Sequence, residues 1–259
     1  MMIERALEGL AIEDIFVFDV HAHIDYNAGI HTIKPDPASL VQTLDRLNIK
    51  GACVSSPVCL EASPKEGNDR VLQAVAKFPG RIYGYVSATP HYDDFDFEHY
   101  FVPGNGMVGI KIHGVMNKTT ICDERYRPYL EYADKNGLPV LFHAWEPDEV
   151  AQVAQVAKDY KNCPLIVGHG GLTSYAAKVQ AINAVRKYDN VYVDTCISST
   201  YDGAIEWIVS QVGVERVLFG TDLGFFDCRQ NYGKLALSKL SVEDKLKIFG
   251  ENARKLFSL

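Results

Sequence analysis

Phe16-Val17-Phe18-Asp19-Val20-His21-Ala22-His23-Ile24-Asp25 opens with an apolar run of aromatic and β-branched residues, the pattern of a buried strand. Two histidines then arrive two residues apart. Side chains alternate faces along a strand, so His21 and His23 are expected to point the same way, with Asp19 on that face as well. Two imidazoles on one face of a strand end can hold one metal ion together. The competing reading is two unrelated polar residues in a turn, and the segment by itself leaves both open.

Outward from this segment, short apolar runs recur at 15–20, 51–55, 82–86, 108–112, 139–142, 165–167, 191–193 and 216–219. They are near-continuous rather than alternating, as expected for parallel strands covered on both sides. Helical spacing fills the intervals. Residues 37–47 place Leu40, Val41, Leu44 and Leu47 on one side, and 68–78 carry Val71, Leu72, Val75 and Phe78 before a Pro79-Gly80 stop. The segment 123–136 ends at Gly137, a fitting helix-terminating glycine, and 148–160 opens with an acidic N-cap. Helices are also expected at 173–188, 202–212 and 228–237. Ser241-Val242-Glu243-Asp244 starts a last one that runs to about residue 257. The interval 92–106 is aromatic, acidic and glycine-containing and has no clear pattern. Eight strand–helix units in 259 residues predict an α/β protein, a single (β/α)8 TIM barrel forming one domain over 1–259. An open doubly wound sheet loses support because no glycine-rich phosphate loop follows the first strand.

Composition limits the function classes. The chain is 47% hydrophobic and 23% charged, ordinary for a globular protein, and its net charge of −7 with no basic run argues against nucleic acid as a partner. The six cysteines, at 53, 59, 122, 163, 196 and 228, form no Cys-x-x-Cys pair; they read as reduced thiols of a cytoplasmic protein. The charged N-terminus does not suit a signal peptide, and no apolar run suits a membrane span. The expected partner is a small-molecule substrate, and a homo-oligomer is allowed.

The polar residues carry the functional argument. Of eight histidines, five fall at or after expected strands: His21, His23, His113, His143 and His169. Asp222 follows the eighth strand. In a (β/α)8 barrel the C-terminal strand ends share one rim, so these residues converge. Any one histidine there is usually an ordinary satisfied polar group; the set points to a shared site. Imidazoles and a carboxylate bind zinc, manganese or iron with positions left open for water. A carboxylate beside such water can take its proton and return it to a leaving group, and a further histidine can steady an oxyanion. His91 and His99 read as structural or surface groups, and His31 as undecided.

These residues resemble the amidohydrolase superfamily of metal-dependent hydrolases, in its amidohydrolase-related branch. The likeness rests on FDVHAHID at 18–25, GIKIHG at 109–114, GLPVLFHAW at 137–145, IVGHGG at 166–171, NVYVDT at 190–195, LFGTD at 218–222 and ENARKLF at 251–257, in order along the chain. The resemblance implies a barrel with one catalytic divalent metal, zinc in first place with manganese or iron as options. It implies His21, His23 and His143 as metal ligands, Asp222 as ligand and general base, and His169 as the catalytic histidine or a ligand to a second metal. His113 would face the substrate. In two-metal members a lysine at the end of strand four can be carboxylated, but for Lys111 a buried or paired lysine is the preferred reading. Tyr26, Trp145, Glu146, Asp194, Cys196 and Phe225 lie on rim loops where they could shape the pocket, with Trp145 taken as a substrate-binding residue. For each of these, ordinary loop packing competes.

The leading expectation is hydrolysis of an amide, lactone or other carboxylic ester by metal-activated water. Non-oxidative decarboxylation of an unsaturated or aromatic acid is the alternative within the same branch. A TatD-like deoxyribonuclease also begins with His-x-His, but such enzymes place a metal-binding glutamate where this chain has GIKIHG. A non-enzymatic metal- or ligand-binding barrel is a fourth reading; it would require a missing ligand, and none is missing.

Overall fold

The structure is a computed structural model that describes residues 2–92, 94–171, 174–196 and 201–259. After a short helix α1 (Met2–Leu7), the apolar runs form eight parallel strands: β1 (Phe18–His23), β2 (Gly51–Ser55), β3 (Ile82–Ser87), β4 (Met107–Ile112), β5 (Val140–His143), β6 (Leu165–Gly168), β7 (Val191–Asp194) and β8 (Val217–Leu218). They neighbour one another in sequence order. The ring is drawn together between the last strand and the first: Val20 N donates to Phe219 O at 2.9 Å, Asp222 N to His21 O at 2.8 Å and His23 N to Leu223 O at 2.7 Å. The fold is a (β/α)8 barrel, as the alternation of apolar runs and helical intervals predicts.

Helices α2 (Pro37–Arg46), α3 (Val58–Glu61), α4 (Pro64–Lys77), α5 (Arg127–Asn136), α6 (Pro147–Asp159), α7 (Tyr175–Lys187), α8 (Ala204–Val212), α9 (Cys228–Ala236), α10 (Val242–Leu246) and α11 (Asn252–Phe257) surround the barrel. Local chemistry sets their ends. Asp36 caps α2 by accepting from Ser39 N, Ser63 caps α4 by accepting from Glu66 N, and Gly137 ends α5 in the left-handed conformation at φ 64°. The apolar stripe of each helix covers the outer face of the sheet; Leu40 and Leu44 of α2 and Val71, Ala74 and Val75 of α4 are buried there.

Several boundaries differ from expectation. β1 starts later and runs to His23, so both histidines lie within the strand. β8 keeps two of its four expected residues. α4 starts at Pro64 rather than 68, because Ser63 caps it and proline suits the first helical turn. α6 is capped by Glu146 and not by Asp148, through a reciprocal capping box with Glu149. The 123–136 segment begins as a 3-10 turn over Glu124–Tyr126, and the C-terminal helix is divided by a π turn over Lys247–Glu251. The interval 92–106 holds only a 3-10 turn, Glu98–Tyr100, among its described residues. The expected helix start at Thr173 lies outside the described residues.

The interior of the barrel follows the two-residue period of its strands. Cys53, Tyr85, Leu141, Ile166 and Leu218 meet Phe18 and Val20 in an apolar cluster that Phe257 of α11 joins. Two residues further along their strands stand Ser55, Ser87, His143 and Gly168. In β1 the pairing with β2 shifts by one residue between Asp19 and Ala22. This bulge lets Val20 stay in the apolar cluster while His21 and His23 line the upper interior. Asp19 is therefore not a third member of the histidine row, contrary to the simple alternation. Its carboxylate instead accepts from His21 N at 3.0 Å, Thr221 N at 3.1 Å and Thr221 Oγ1 at 2.5 Å, tying β1 to the segment after β8.

Candidate active site

Strand ends and the short turns after them bring the expected residues together. His21 and His23 come from β1, Lys111 from β4, His143 from β5, His169 from the residue after β6, Asp194 from β7 and Asp222 from the turn after β8. His169 and Asp222 have left-handed backbones, at φ 62° and 61°. Non-glycine residues adopt this region at a cost, of order 1–3 kcal/mol each, and such strain gathers at functional sites. Gly224 is needed beside them. Its φ is 107°, and a Cβ there would lie 2.2 Å from the carbonyl oxygen of His23.

Asp222 Oδ1 lies 2.9 Å from His23 Nε2 and 3.5 Å from His21 Nε2. Among the described residues two groups of three donor atoms lie within 4.8 Å of one another: His21, His23 and Asp222, and His21, His169 and Cys196. His143 belongs to neither. It joins the cluster through His169, with His169 Nε2 3.0 Å from His143 Nδ1, and its ring stacks on His113 at 3.8 Å.

The surroundings orient the rings. Asp194 Oδ2 accepts from His21 Nδ1 at 2.8 Å, which turns the lone pair of Nε2 into the site. Asp194 Oδ1 also accepts the backbone N–H groups of His169 at 2.8 Å and Cys196 at 3.1 Å. The hydroxyl of Ser55, 3.1 Å from His23 Nδ1, can donate or accept, so His23 can present Nε2 as a donor or as a ligand. Lys111 Nζ lies 2.9 Å from His21 Nε2; the lysine is buried and paired with that imidazole.

Burial acts first on every charge here. It lowers His21, His113 and His143 well below the ordinary histidine value, lowers His23, and brings His169 down to about 4. It brings Lys111 down to about 8 and raises the Cys196 thiol, a poorer donor than the imidazoles around it. Burial also raises Asp222, but the His23 hydrogen bond and the rings of His21 and His169 outweigh it and hold the carboxyl well below its usual range. Neutral imidazoles beside an ionised carboxylate form the donor set that a divalent ion requires, so the residues fit such an ion.

A cavity of about 200 Å³ opens over this cluster. His23, Lys111, His113, His143, Trp145, His169, Asp222 and Phe225 line it, and His113 and Trp145, expected to face a substrate, thus stand in its wall. Phe225 stacks on His23 at 4.2 Å. Nothing in the sequence pattern singles out Ile30, Pro57, Leu60, Met116 or Phe226, which form the apolar part of the wall. Asp194 was visible only as a rim residue; its place two residues beyond Tyr192 on a strand was the available signal for an inward carboxylate. Tyr26 and His31 do not line the cavity, and Glu146 is used in the α6 cap. Arg229 pairs with Asp227 outside it. His91 bonds to Asn117 O and Arg125, and His99 lies tilted against Tyr100 with ring centres 3.9 Å apart, both outside the cavity lining.

A family model described as amidohydrolase matches residues 18–259. No curated protein matches the chain. Among solved structures the chain is similar to a dihydroxybenzoic acid decarboxylase from Polaromonas sp. JS666 with bound manganese and the inhibitor 2-nitroresorcinol. Identity is 16%, coverage 95% of this chain and 97% of that one, and the TM-score 0.75. It is similar to 5-carboxyvanillate decarboxylase from Sphingomonas paucimobilis, at 13% identity, 95% and 100% coverage and a TM-score of 0.75. It is also similar to a probable 2-pyrone-4,6-dicarboxylic acid hydrolase from Acinetobacter baumannii with citric acid bound, at 13% identity, 95% and 100% coverage and a TM-score of 0.72. At these identities the likeness shows the fold.

Proposed function

The chain belongs to the amidohydrolase family of metal-dependent enzymes, and from that premise we propose that it hydrolyses a small organic substrate, an amide, lactone or other carboxylic ester. The observation that carries this reading is the convergence of His21 Nε2, His23 Nε2 and Asp222 Oδ1 on the floor of a small cavity. His21, His23 and Asp222 would hold one divalent ion, and His143, which joins the cluster through His169, would complete the set. Zinc is the first choice for such ligands; the manganese of the Polaromonas decarboxylase supports manganese as well, and iron suits the same donors. His169 and Cys196 would serve a second ion.

When bound, the ion supplies Lewis acidity and brings the pKa of a water from 15.7 towards about 7. Asp222 turns Oδ1 towards the imidazoles and leaves Oδ2 to take the proton of the attacking water and return it to the leaving group. His169, whose Nδ1 donates to Cys196 O, would polarise the substrate carbonyl through Nε2 once that nitrogen, 3.0 Å from His143 Nδ1, carries a proton. His113 and Trp145 position the substrate against the apolar wall. The six unpaired thiols support a reducing, cytoplasmic setting for the protein.

A specific observation also favours decarboxylation of an unsaturated or aromatic acid. The cavity is flanked by Trp145, Phe225 and Phe226, which suit a flat ring, and two of the similar structures are aromatic acid decarboxylases. One assay separates the two. The metal-loaded protein is offered a panel of lactones, esters and amides and a panel of aromatic and unsaturated acids, with product acid and CO₂ both measured. Hydrolysis that Asp222→Asn abolishes supports the leading reading. CO₂ release without ester or amide cleavage replaces it with the second.

A further inference from the structure

Four imidazoles line the cavity, those of His23, His113, His143 and His169, and their hydrogen bonds give them different nitrogens to offer. A carbonyl oxygen only accepts, so His169 Nδ1, 3.1 Å from Cys196 O, carries that ring's proton. Nε2 of neutral His169 is then an acceptor, and the proton of the 3.0 Å contact belongs to His143 Nδ1. His143 Nε2 keeps a lone pair, which suits it to a metal ion. His23 is engaged at both nitrogens, by Ser55 Oγ at 3.1 Å and Asp222 Oδ1 at 2.9 Å. His113 is the reverse of His143. Its Nδ1 accepts the backbone N–H of Met116 at 3.3 Å, so the ring proton sits on Nε2. That N–H has no protein partner among the described residues.

The His113 ring is held in place. It stacks on His143 with centres 3.8 Å apart and planes 12° from parallel, and the turn behind it closes as Asn117 N donates to His113 O at 3.1 Å. Lys111, two residues earlier, already gives Nζ to His21 Nε2 at 2.9 Å. His113 stands just after β4, which in a ring of eight strands lies across from β8 and Asp222. We propose that His113 is a specificity-determining residue: its Nε2–H donates a hydrogen bond to a carboxylate or carbonyl oxygen of the substrate, held on the β4 side of the cavity. His113 needs no added proton for this, whereas His169 must gain one before it can donate. The inference rests on reading this cavity as the substrate site, and the first part of its test is independent of turnover.

Two variants separate the two nitrogens. His113→Asn keeps an oxygen to accept Met116 N and removes the Nε2 donor; His113→Gln keeps an amide N–H near the Nε2 position and removes the acceptor. Long-range proton–nitrogen NMR of metal-free, histidine-labelled protein should show His113, assigned by the signals that His113→Asn loses, as the Nε2–H tautomer. Calorimetric titration of the same protein with benzoate, benzamide and toluene then reads the contact. At least one of the two oxygen ligands is expected to bind more tightly than toluene, with His113→Asn weakening it about tenfold and His113→Gln about threefold or less. The tighter of the two tells whether the recognised oxygen is charged. An Nδ1–H tautomer, no binding of either oxygen ligand, or equal affinity in His113→Asn overturns the proposal. Weakening in His113→Gln alone assigns the ring to the turn instead. With the metal-loaded protein, KM for an ester, lactone or amide that turns over should rise in the same order. His113-dependent binding of the probes without hydrolysis of any of these would overturn the hydrolytic reading and leave the contact standing.

Discussion

The barrel interior changes character within one repeat of its strands. Cys53, Tyr85, Leu141, Ile166 and Tyr192 belong to or pack on an apolar cluster, while Ser55, Ser87, His143, Gly168 and Asp194, two residues on, stand at the level of the site. That step is roughly 7 Å along a strand. The lower half stabilises the fold by removing hydrocarbon from water, with Phe257 filling the bottom. The upper half carries costs: left-handed backbone at His169 and Asp222, and imidazoles held neutral by burial. Stability and the proposed chemistry therefore fall in adjacent layers on the same strands, and substitutions in the two layers should fail differently.

The largest separation is expected from His23→Ala, or His21→Ala. Either should abolish metal retention and lower turnover by at least about 10³-fold, with thermal unfolding of the metal-free protein little changed. Metal content by elemental analysis checks this, and full metal occupancy in either variant would break the division. Below the site, Leu141→Ala should lower stability by about 2–5 kcal/mol in denaturant unfolding while the folded protein keeps its metal. Loss of metal from still-folded Leu141→Ala would show that the layers are not separable.

Protonation sharpens the same contrast. His169 titrates at about 4 in the folded protein and at 6.5 in its ordinary state, so between these values the unfolded chain binds the additional proton. The His169 contribution, up to about 3 kcal/mol, should thus be lost as pH drops from 6.5 to about 4, while buried Asp19 and Asp194, raised to about 7, take up protons in the folded state over the same range and act the opposite way. The His169 part is therefore read as the difference in pH dependence of stability between the metal-free protein and its His169→Gln variant, and identical pH dependence in the two contradicts it. Asp194→Asn should weaken metal affinity about 10- to 100-fold, because it removes the acceptor that sets the His21 ring; competition with a chelator measures this. The smallest effect belongs to the outer shell: Ser63→Ala should cost about 1 kcal/mol through the lost α4 cap, with metal affinity unchanged, as unfolding and chelator titration would report.

The barrel was legible because buried parallel strands leave apolar runs, and eight of them fit the length. The site was legible because a barrel places strand ends on one rim, so His21, His23, Lys111, His113, His143, His169 and Asp222 could be grouped from position alone. Two kinds of feature escaped. The bulge in β1 moves Asp19 out of the histidine row, and strict alternation cannot register one extra residue. The apolar wall formed by Ile30, Pro57, Leu60, Met116 and Phe226 comes from loops, where no periodicity marks which side chains turn inward. Helix starts at Pro64 and Pro147 were displaced for a similar reason: Ser63 and Glu146 act through local caps that outrank the apolar pattern.

The central claim is that the upper layer is a metal centre built on His21, His23 and Asp222. Anomalous X-ray scattering from crystals of the purified protein, recorded across the zinc, iron and manganese edges, tests it most directly. The expected result is a peak about 2.0–2.2 Å from His21 Nε2, His23 Nε2 and Asp222 Oδ1. Fully metal-loaded protein with its anomalous peak elsewhere, and none among these three atoms, would contradict the account.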